Sequence, residues 1–332
     1  MDTRRELAGV YVEDQLDALE SRIKDPRPPL TTPFPSLNAY LHRGGLLPGN
    51  LVILGGRKGT RKTTVALNLI VHLLREDVPV GFVTLDESLA MYTSKLMSAM
   101  SRYPSEKLEE NWDSSVVRGI RADYAELAAN LVMTRGVRPT IQQLQAWLDM
   151  CDMEHGEARR PRVVVIDYAS LLVHYRGRQE HVRVTDLMEE LQVWTHDNEL
   201  VTVVLHQAGR QDEGLSKRYH GDTPMTAEAL MYAGESQADI ILGTYRPALN
   251  QLGNMSLEMA QLIQGDSFDE AKWAEARERV HKYRKSTFLQ LLKNRPSTKG
   301  ECFEGIELYS PDDSQYMCER SEYADEEAEL ED

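Results

Sequence analysis

From residue 50 onward the chain alternates short β-branched runs with stretches of helical period, which restricts it to one class of architecture. The runs LVILG at 51–55, VGFVTL at 80–85, LVMT at 131–134, RVVVID at 162–167, VTVVLH at 201–206 and DIILGTY at 239–245 are apolar almost throughout. Strands of that kind are buried on both faces, as in a mostly parallel sheet covered by helices. Helices are expected between the first five runs. The later runs, DIILGTY followed by TFLQLL and CFEGIELY, are joined by loops and one charged helix over about 268–285, which suggests antiparallel additions at a sheet edge. The expected fold is α/β, a mostly parallel central sheet flanked by helices with antiparallel C-terminal edge strands.

With 41% hydrophobic and 27% charged residues, the 332-residue chain can bury a sizeable core. The order of motifs favours one domain over 36–312. Ahead of it, residues 4–24 read as an amphipathic helix with Val12, Leu16, Leu19 and Ile23 on one face, followed by the extended proline-rich linker PRPPLTTPFP at 26–35. This arm, 1–35, either folds back on its own domain or docks on a neighbouring subunit. Residues 313–332 are expected to form an acidic, disordered tail, ending in SEYADEEAELED. No apolar run reaches membrane-spanning length and the start lacks a secretory apolar stretch, so a cytoplasmic protein is expected. Cys151, Cys302 and Cys318 form no C-x-x-C pair and read as reduced thiols. The net charge of −15 repels nucleic acid on average, so any DNA binding must rest on local basic patches.

The segment GGRKGTRKTT follows the first strand and opens a helix, the context a phosphate-binding loop requires. Loop N–H groups from Gly56, Arg57, Lys58, Gly59, Thr60 and Arg61 and the helix start at Thr64 can cradle phosphates. Lys62 offers a point charge to them, and the Thr63 hydroxyl can ligate Mg²⁺. The Walker pattern wants glycine before the lysine, and here stands Arg61. If that position is left-handed, a non-glycine residue costs about 1–2 kcal/mol there, and nucleotide affinity is expected to suffer.

Four further features arrive in order. Asp167 ends an apolar strand and fits a Walker B aspartate holding Mg²⁺, although such endings are common. Asp86 and Glu87 in TLDES can orient and deprotonate an attacking water, while Asp86 could equally be a helix N-cap. Gln207, after VTVVLH, stands where an amide can sense a γ-phosphate. Lys293 and Arg295 share a face at period two as a strand ends, suited to an arginine finger reaching a neighbouring subunit's nucleotide or simply to a solvated basic edge.

The succession GGRKGTRKTTVALNL, FVTLDES, VVVIDYASLL, VLHQAGR, GESQADIILGTYRP and LLKNRPSTKG resembles the RecA-like motor domain of DnaB-type hexameric replicative helicases, over about 36–310. The resemblance implies a RecA-like P-loop ATPase using ATP and Mg²⁺. Lys62 and Thr63 would be the Walker A pair, Asp86 would stand in register with the catalytic glutamate, and Asp167 would be Walker B. Gln207 would be the γ-phosphate sensor, Lys293 and Arg295 the trans-acting K-x-R, and Gly300 the glycine that follows it. Three departures stand out: Arg61 for glycine, aspartate for the catalytic glutamate, with Glu87 one residue on as its possible substitute, and no collar or primase domain before the motor. The last fits a phage-encoded protein in a bacterial host.

In such rings the loops after the Walker B and sensing strands face the channel. Here they carry Arg176, Arg178 and Arg183, then Arg210, Lys217 and Arg218 beside Tyr219, suited to neutralising a single-stranded DNA backbone and stacking its bases. The leading expectation is a homo-oligomeric ring or filament driven along single-stranded DNA in replication or recombination, with the acidic tail recruiting a replication partner. A DNA-binding loader with weak ATPase, or a Mg²⁺-dependent nuclease built on Asp86, Glu87 and Asp167, are the alternatives.

Overall fold

The computed structural model describes Leu16, Glu20 and residues 28–136, 139–167, 180–208, 221–230, 236–310 and 313–322. In chain order the elements are α1 (Pro35–Tyr40), β1 (Leu51–Gly56), α2 (Lys62–Arg75), β2 (Val80–Thr84), α3 (Leu89–Ser101), α4 (Ser105–Glu110), α5 (Ser115–Leu127) and β3 (Leu131–Arg135). Then come α6 (Ile141–His155), β4 (Val163–Asp167), α7 (Glu180–Asp197), β5 (Val201–Gln207) and β6 (Ile240–Tyr245). The chain continues through α8 (Gln251–Asn254), α9 (Leu257–Gln264), α10 (Glu270–Lys282), β7 (Ser286–Asn294), β8 (Cys302–Tyr309) and β9 (Cys318–Glu319).

The strands form one sheet in the order β3-β2-β4-β5-β1-β6-β7-β8-β9. Pairings from β3 through β6 are parallel, and β6–β7, β7–β8 and β8–β9 are antiparallel, so the sheet is mostly parallel with an antiparallel C-terminal edge as expected, but that edge begins after β6, which itself runs parallel to β1. The near-continuous apolar runs have a direct physical reason. Successive strand side chains point to opposite faces, and both faces here are cores. Val52, Leu54, Phe82 and Val165 meet Val65, Leu69 and Ile70 of α2 and Leu96 of α3 on one side. Leu51, Ile53, Val164 and Ile166 meet Leu144 and Leu148 of α6 and Leu187 and Leu191 of α7 on the other.

Helix starts follow the capping chemistry of their sequences. Ser88 caps α3 by accepting from the Met91 amide at 3.3 Å, which displaces Asp86 from the capping role open to it on sequence grounds. Thr140 and Gln143 form a reciprocal capping box at α6. The helices α8 and α9 occupy a stretch expected to be loop. In α9 only Ala260 is buried, while Met259, Leu262 and Ile263, spaced as one helical face, are exposed.

Residues on either side of the expected divisions at 35/36 and 312/313 lie in the same body. Leu30 exchanges backbone hydrogen bonds with Leu46 at 2.8 Å, and Phe34 is 2% exposed in the core. Beyond residue 312, Met317 joins the same core and β9 pairs with β8. The Glu319 carboxylate accepts from the Ser36 amide at 2.8 Å and hydroxyl at 2.5 Å, so the two ends of the domain meet. Residues 323–332 of the expected tail lie outside the described residues, as does the arm apart from Leu16, Glu20 and the residues from 28 on.

Among the described residues no helix is long and apolar enough to cross a membrane. Phe34→Ala should cost about 3–5 kcal/mol of stability, read as a lowered urea midpoint. A shift no larger than that of an exposed substitution would mean that the segment before α1 is not part of the core.

Candidate functional site

The parallel strands open their carboxyl ends at one edge of the sheet, and register decides what meets there. Gly56 lies opposite Gln207 on one side and Thr244 on the other, and Thr84 lies opposite Asp167. The loop 57–61 leaves β1 and turns directly into α2, whose first residue is Lys62. Thr60 braces the turn, donating from its hydroxyl to the Arg57 carbonyl at 2.8 Å and pairing with the Thr244 hydroxyl at 2.8 Å. A Cβ at Gly56 would fall 2.3 Å from that same Thr244 hydroxyl oxygen, so only glycine fits. Arg61 adopts φ 63° and ψ 29°. The left-handed conformation that made arginine a liability on sequence grounds is therefore present, with its cost of about 1–2 kcal/mol.

Lys62 folds back over the loop, donating to the carbonyls of Gly56 at 2.8 Å and Arg57 at 3.0 Å. Burial lowers its pKa to about 8, against the opposing pull of Asp167. The Thr63 hydroxyl donates to Oδ2 of Asp167 at 3.1 Å, and the Tyr92 hydroxyl donates to the same oxygen at 2.7 Å. Asp167 is only 6% exposed, and burial raises its pKa, with the hydrogen bonds from Tyr92 and Thr63 and the charge of Lys62 opposing. Tyr92 itself stands edge-on to Phe82, ring centroids 4.7 Å apart.

The two candidate bases separate. Glu87 is half-buried and paired with Lys95, and its charge is felt by both Asp167 and Tyr92. Asp86 is exposed. Gln207 is exposed at the end of β5, beside the loop, and the next residue's amide donates to the Gly56 carbonyl at 3.1 Å. Lys58 and Gly59 are exposed at the loop tip, and Arg57 donates to the Ala208 carbonyl at 3.5 Å. Thr64 faces away from the mouth, donating to Gln315 Oε1 at 2.8 Å.

A family model described as the DnaB-like helicase C terminal domain matches residues 29–290. The chain belongs to the DnaB-like helicase C-terminal domain family. Replicative DNA helicase DnaB from two strains of Helicobacter pylori is 23% identical to it over 247 residues, covering 73% of this chain and 49% of each relative. The chain thus spans about half the length of the curated relatives it matches. A solved ATPase domain superposes with a TM-score of 0.69 at 16% identity, covering 94% of this chain and 99% of its own. A DnaB-like replicative helicase, solved with its interactions with primase, gives 0.65 at 16% identity over 94% of this chain and 67% of that one. At such identities the likeness establishes the fold, which is RecA-like.

In this DnaB-like domain Lys293 and Arg295 lie away from the loop. Lys293 pairs in register with Ile241, and the Arg295 amide donates to the Asp239 carbonyl, at the amino edge of the parallel strands. Thr244, opposite Gly56, is five residues further along from Asp239, or about 17 Å at strand rise. The two side chains do share a face, as period two requires. Lys293 Nζ and an Arg295 guanidinium nitrogen both donate to the Ser236 carbonyl, at 3.4 and 2.7 Å, and Arg295 lies 3.6 Å from Asp239.

Of the channel-loop candidates, Arg176, Arg178, Arg210, Lys217 and Arg218 lie outside the described residues, and Arg183 is described only as part of α7. Sequence reasoning overlooked Tyr92, inside the helical run SLAMYTSKL, and His206, whose Nδ1 is buried without a partner. Burial, then the nearby charge of Lys62, lowers the His206 pKa to about 4. A histidine directly before Gln207 was the available signal.

Lys62 titrates at about 8 in the fold against a starting value of 10.5. Between those values the unfolded chain binds more protons, so stability rises with pH, and at pH 7 the buried charge is a net cost to the empty domain. Lys62→Met should therefore raise the melting temperature of the nucleotide-free chain at pH 7 and flatten its rise between about pH 8 and 10. Calorimetry across that range checks both, and a lower melting temperature for the variant contradicts the account.

Proposed function

We propose that the chain is an ATP-hydrolysing motor that moves along single-stranded DNA as a homo-oligomeric ring or filament, the replicative-helicase activity its family membership points to. The observation that carries the reading is the convergence of Lys62, Thr63 and Asp167 at the mouth of α2. The Thr63 hydroxyl and Asp167 carboxylate offer hard oxygen donors of the kind Mg²⁺ takes. No group of three or more His, Cys, Asp or Glu side chains able to hold a metal exists among the described residues. That suits a cation held jointly with substrate phosphates, and it disfavours a nuclease built on a protein-only metal cage.

A Mg²⁺ ion held by Thr63 and Asp167 would supply neutralisation of phosphate charge. Every other task falls to this chain. Lys62 exchanges the Gly56 and Arg57 carbonyls for phosphate oxygens, and the amides at the start of α2 bind phosphate along the helix dipole. Glu87 takes the role of base, accepting the proton of the water that attacks the γ-phosphorus as the bond to the β–γ bridging oxygen breaks. Its half-buried position by Asp167 favours it over exposed Asp86. Gln207, next to the loop, reports the γ-phosphate to the segment that follows it.

Lys293 and Arg295 cannot serve the nucleotide of their own subunit from the opposite edge of the sheet. They act in trans, neutralising transition-state charge across a subunit boundary. The basic loops carrying Arg176, Arg178, Arg183, Arg210, Lys217 and Arg218 hold the DNA backbone. The arm ahead of residue 28 docks on a neighbour, while Leu30 and Phe34 pack into their own domain, and the acidic end of the chain engages a basic replication partner.

DNA-stimulated ATPase should vanish in Lys62→Ala, fall by about 10²–10⁴ in Glu87→Gln and change little in Asp86→Asn. Arg295→Ala should lose about 10³–10⁵ in kcat, and mixing it with Lys62→Ala should restore activity, because one mixed interface pairs an intact loop with an intact finger. Failure of the mixture to recover any activity would place the finger elsewhere. DNA cleavage without ATP, abolished by Asp167→Ala and not by Lys62→Ala, would replace the motor with a nuclease.

A further inference from the structure

Arg61 occupies the position at which a phosphate-binding loop calls for glycine, and its backbone is left-handed. Strain alone makes it a defect. Its side chain tells a different story. The side chain is half-buried, and its Nη1 is fully buried without a hydrogen-bond partner. Arg246, the first residue after β6, lies at the same edge of the sheet, close enough for its charge to act on Arg61, and its Nε is likewise buried and unpartnered. The Arg246 Nη2 is spent on the Arg284 carbonyl at 2.8 Å, and its backbone amide on the Gly221 carbonyl at 2.6 Å, so the residue is held in place from two sides.

Burial first, and then the charge of Arg246, push the Arg61 guanidinium down to about 10, with the exposed carboxylate of Asp313 pulling the other way. Two desolvated cations with open N–H groups oppose each other unless an anion lies between them. The adjacent residue is Lys62, whose ammonium is turned onto loop carbonyls. A guanidinium is a planar fork that matches phosphate oxygens, and two of them flanking a helix N-terminus suit a polyphosphate.

We infer that the Arg61 guanidinium, together with that of Arg246, grips a phosphate of the nucleotide held by the loop, so that Arg61 is a phosphate-binding residue as well as a strained one. The inference rests on the ATP-binding reading above and reverses its simplest consequence: replacing Arg61 by glycine or asparagine weakens nucleotide binding instead of repairing it. The same chemistry could serve a nucleic-acid phosphate. Attachment of Arg61 to Lys62 within the loop itself favours the nucleotide.

The test is equilibrium binding of a fluorescent ADP to the full chain with Mg²⁺, alongside thermal melting of the empty protein. Arg61→Asn removes the charge at a residue type that enters the left-handed region readily. It should melt no lower than the parent yet bind ADP about tenfold more weakly or worse. Arg246→Gln should lose a comparable factor, and Arg61→Lys should fall between parent and Arg61→Asn. Affinity for single-stranded DNA without nucleotide should be unchanged in all three.

Arg61→Asn binding ADP as tightly as the parent, or more tightly, overturns the inference and leaves strain as the whole account of the residue. Loss of DNA affinity with ADP affinity intact overturns it in favour of a nucleic-acid contact. A parent chain that binds no ADP removes the ATPase reading itself, and a parent that binds while Lys62→Ala does not shows that reading intact whatever Arg61 does.

Discussion

One carboxylate oxygen joins three elements that the rest of the site is built around. Oδ2 of Asp167, at the end of β4, accepts from Thr63 in the first turn of α2 and from Tyr92 in the first turn of α3. A buried carboxylate without such donors would neutralise itself or destabilise the fold. Two hydroxyls and the nearby Lys62 charge offset the burial, and in doing so they set the height and rotation of both helices against the sheet. The loop between β1 and α2 then has little freedom left. Its glycine is pinned against Thr244, its lysine is turned inward, and its arginine is forced left-handed.

Several cations of an acidic chain meet at this edge. Arg57, Arg61, Lys62 and Arg246 all surround one turn of helix in a protein whose overall charge is −15. Electrostatic focusing of this kind favours a small polyanion at the mouth even where the global field opposes one. Asp167 provides the negative counterpart on the strand side, so the site has the polarity that a phosphate chain bridged to a cation requires.

Much of this was legible in the sequence, for identifiable reasons. An apolar run without alternation could also be a buried helix segment, but the shortness of these runs and their β-branched residues decide for strand, so β1 to β6 fall where the apolar runs lie, and β7 and β8 follow at the antiparallel edge. Lys62, Thr63 and Asp167 were readable because strand ends and helix starts fix them locally. Glu87 and Asp86 could not be ranked, because the choice depends on a turn whose direction is set by the Ser88 cap and by Lys95 eight residues on from Glu87. Tyr92 was hidden for a similar reason: an aromatic in a helical run reads as core, and half of its role is core packing against Phe82. The short helices α8 and α9 lack a buried stripe. The segment 313–319 carries no period either, because it is held by hydrogen bonds to Ser36, Thr64, Asn68 and Ser98, residues more than two hundred positions away.

That last segment has a mechanical meaning. One side of the first turns of α2 presents Lys62 and Thr63 to the mouth. The other side is moored: Thr64 and Asn68 donate to the side chain and carbonyl of Gln315, and Asn68 accepts from the Met317 amide at 3.0 Å. The mooring line continues through Glu319 to Ser36 at the opposite terminus of the domain. A tilt of this helix on gaining or losing a ligand must therefore either drag the final strand along or part those bonds, so load applied near either chain end is felt at the first turn of α2.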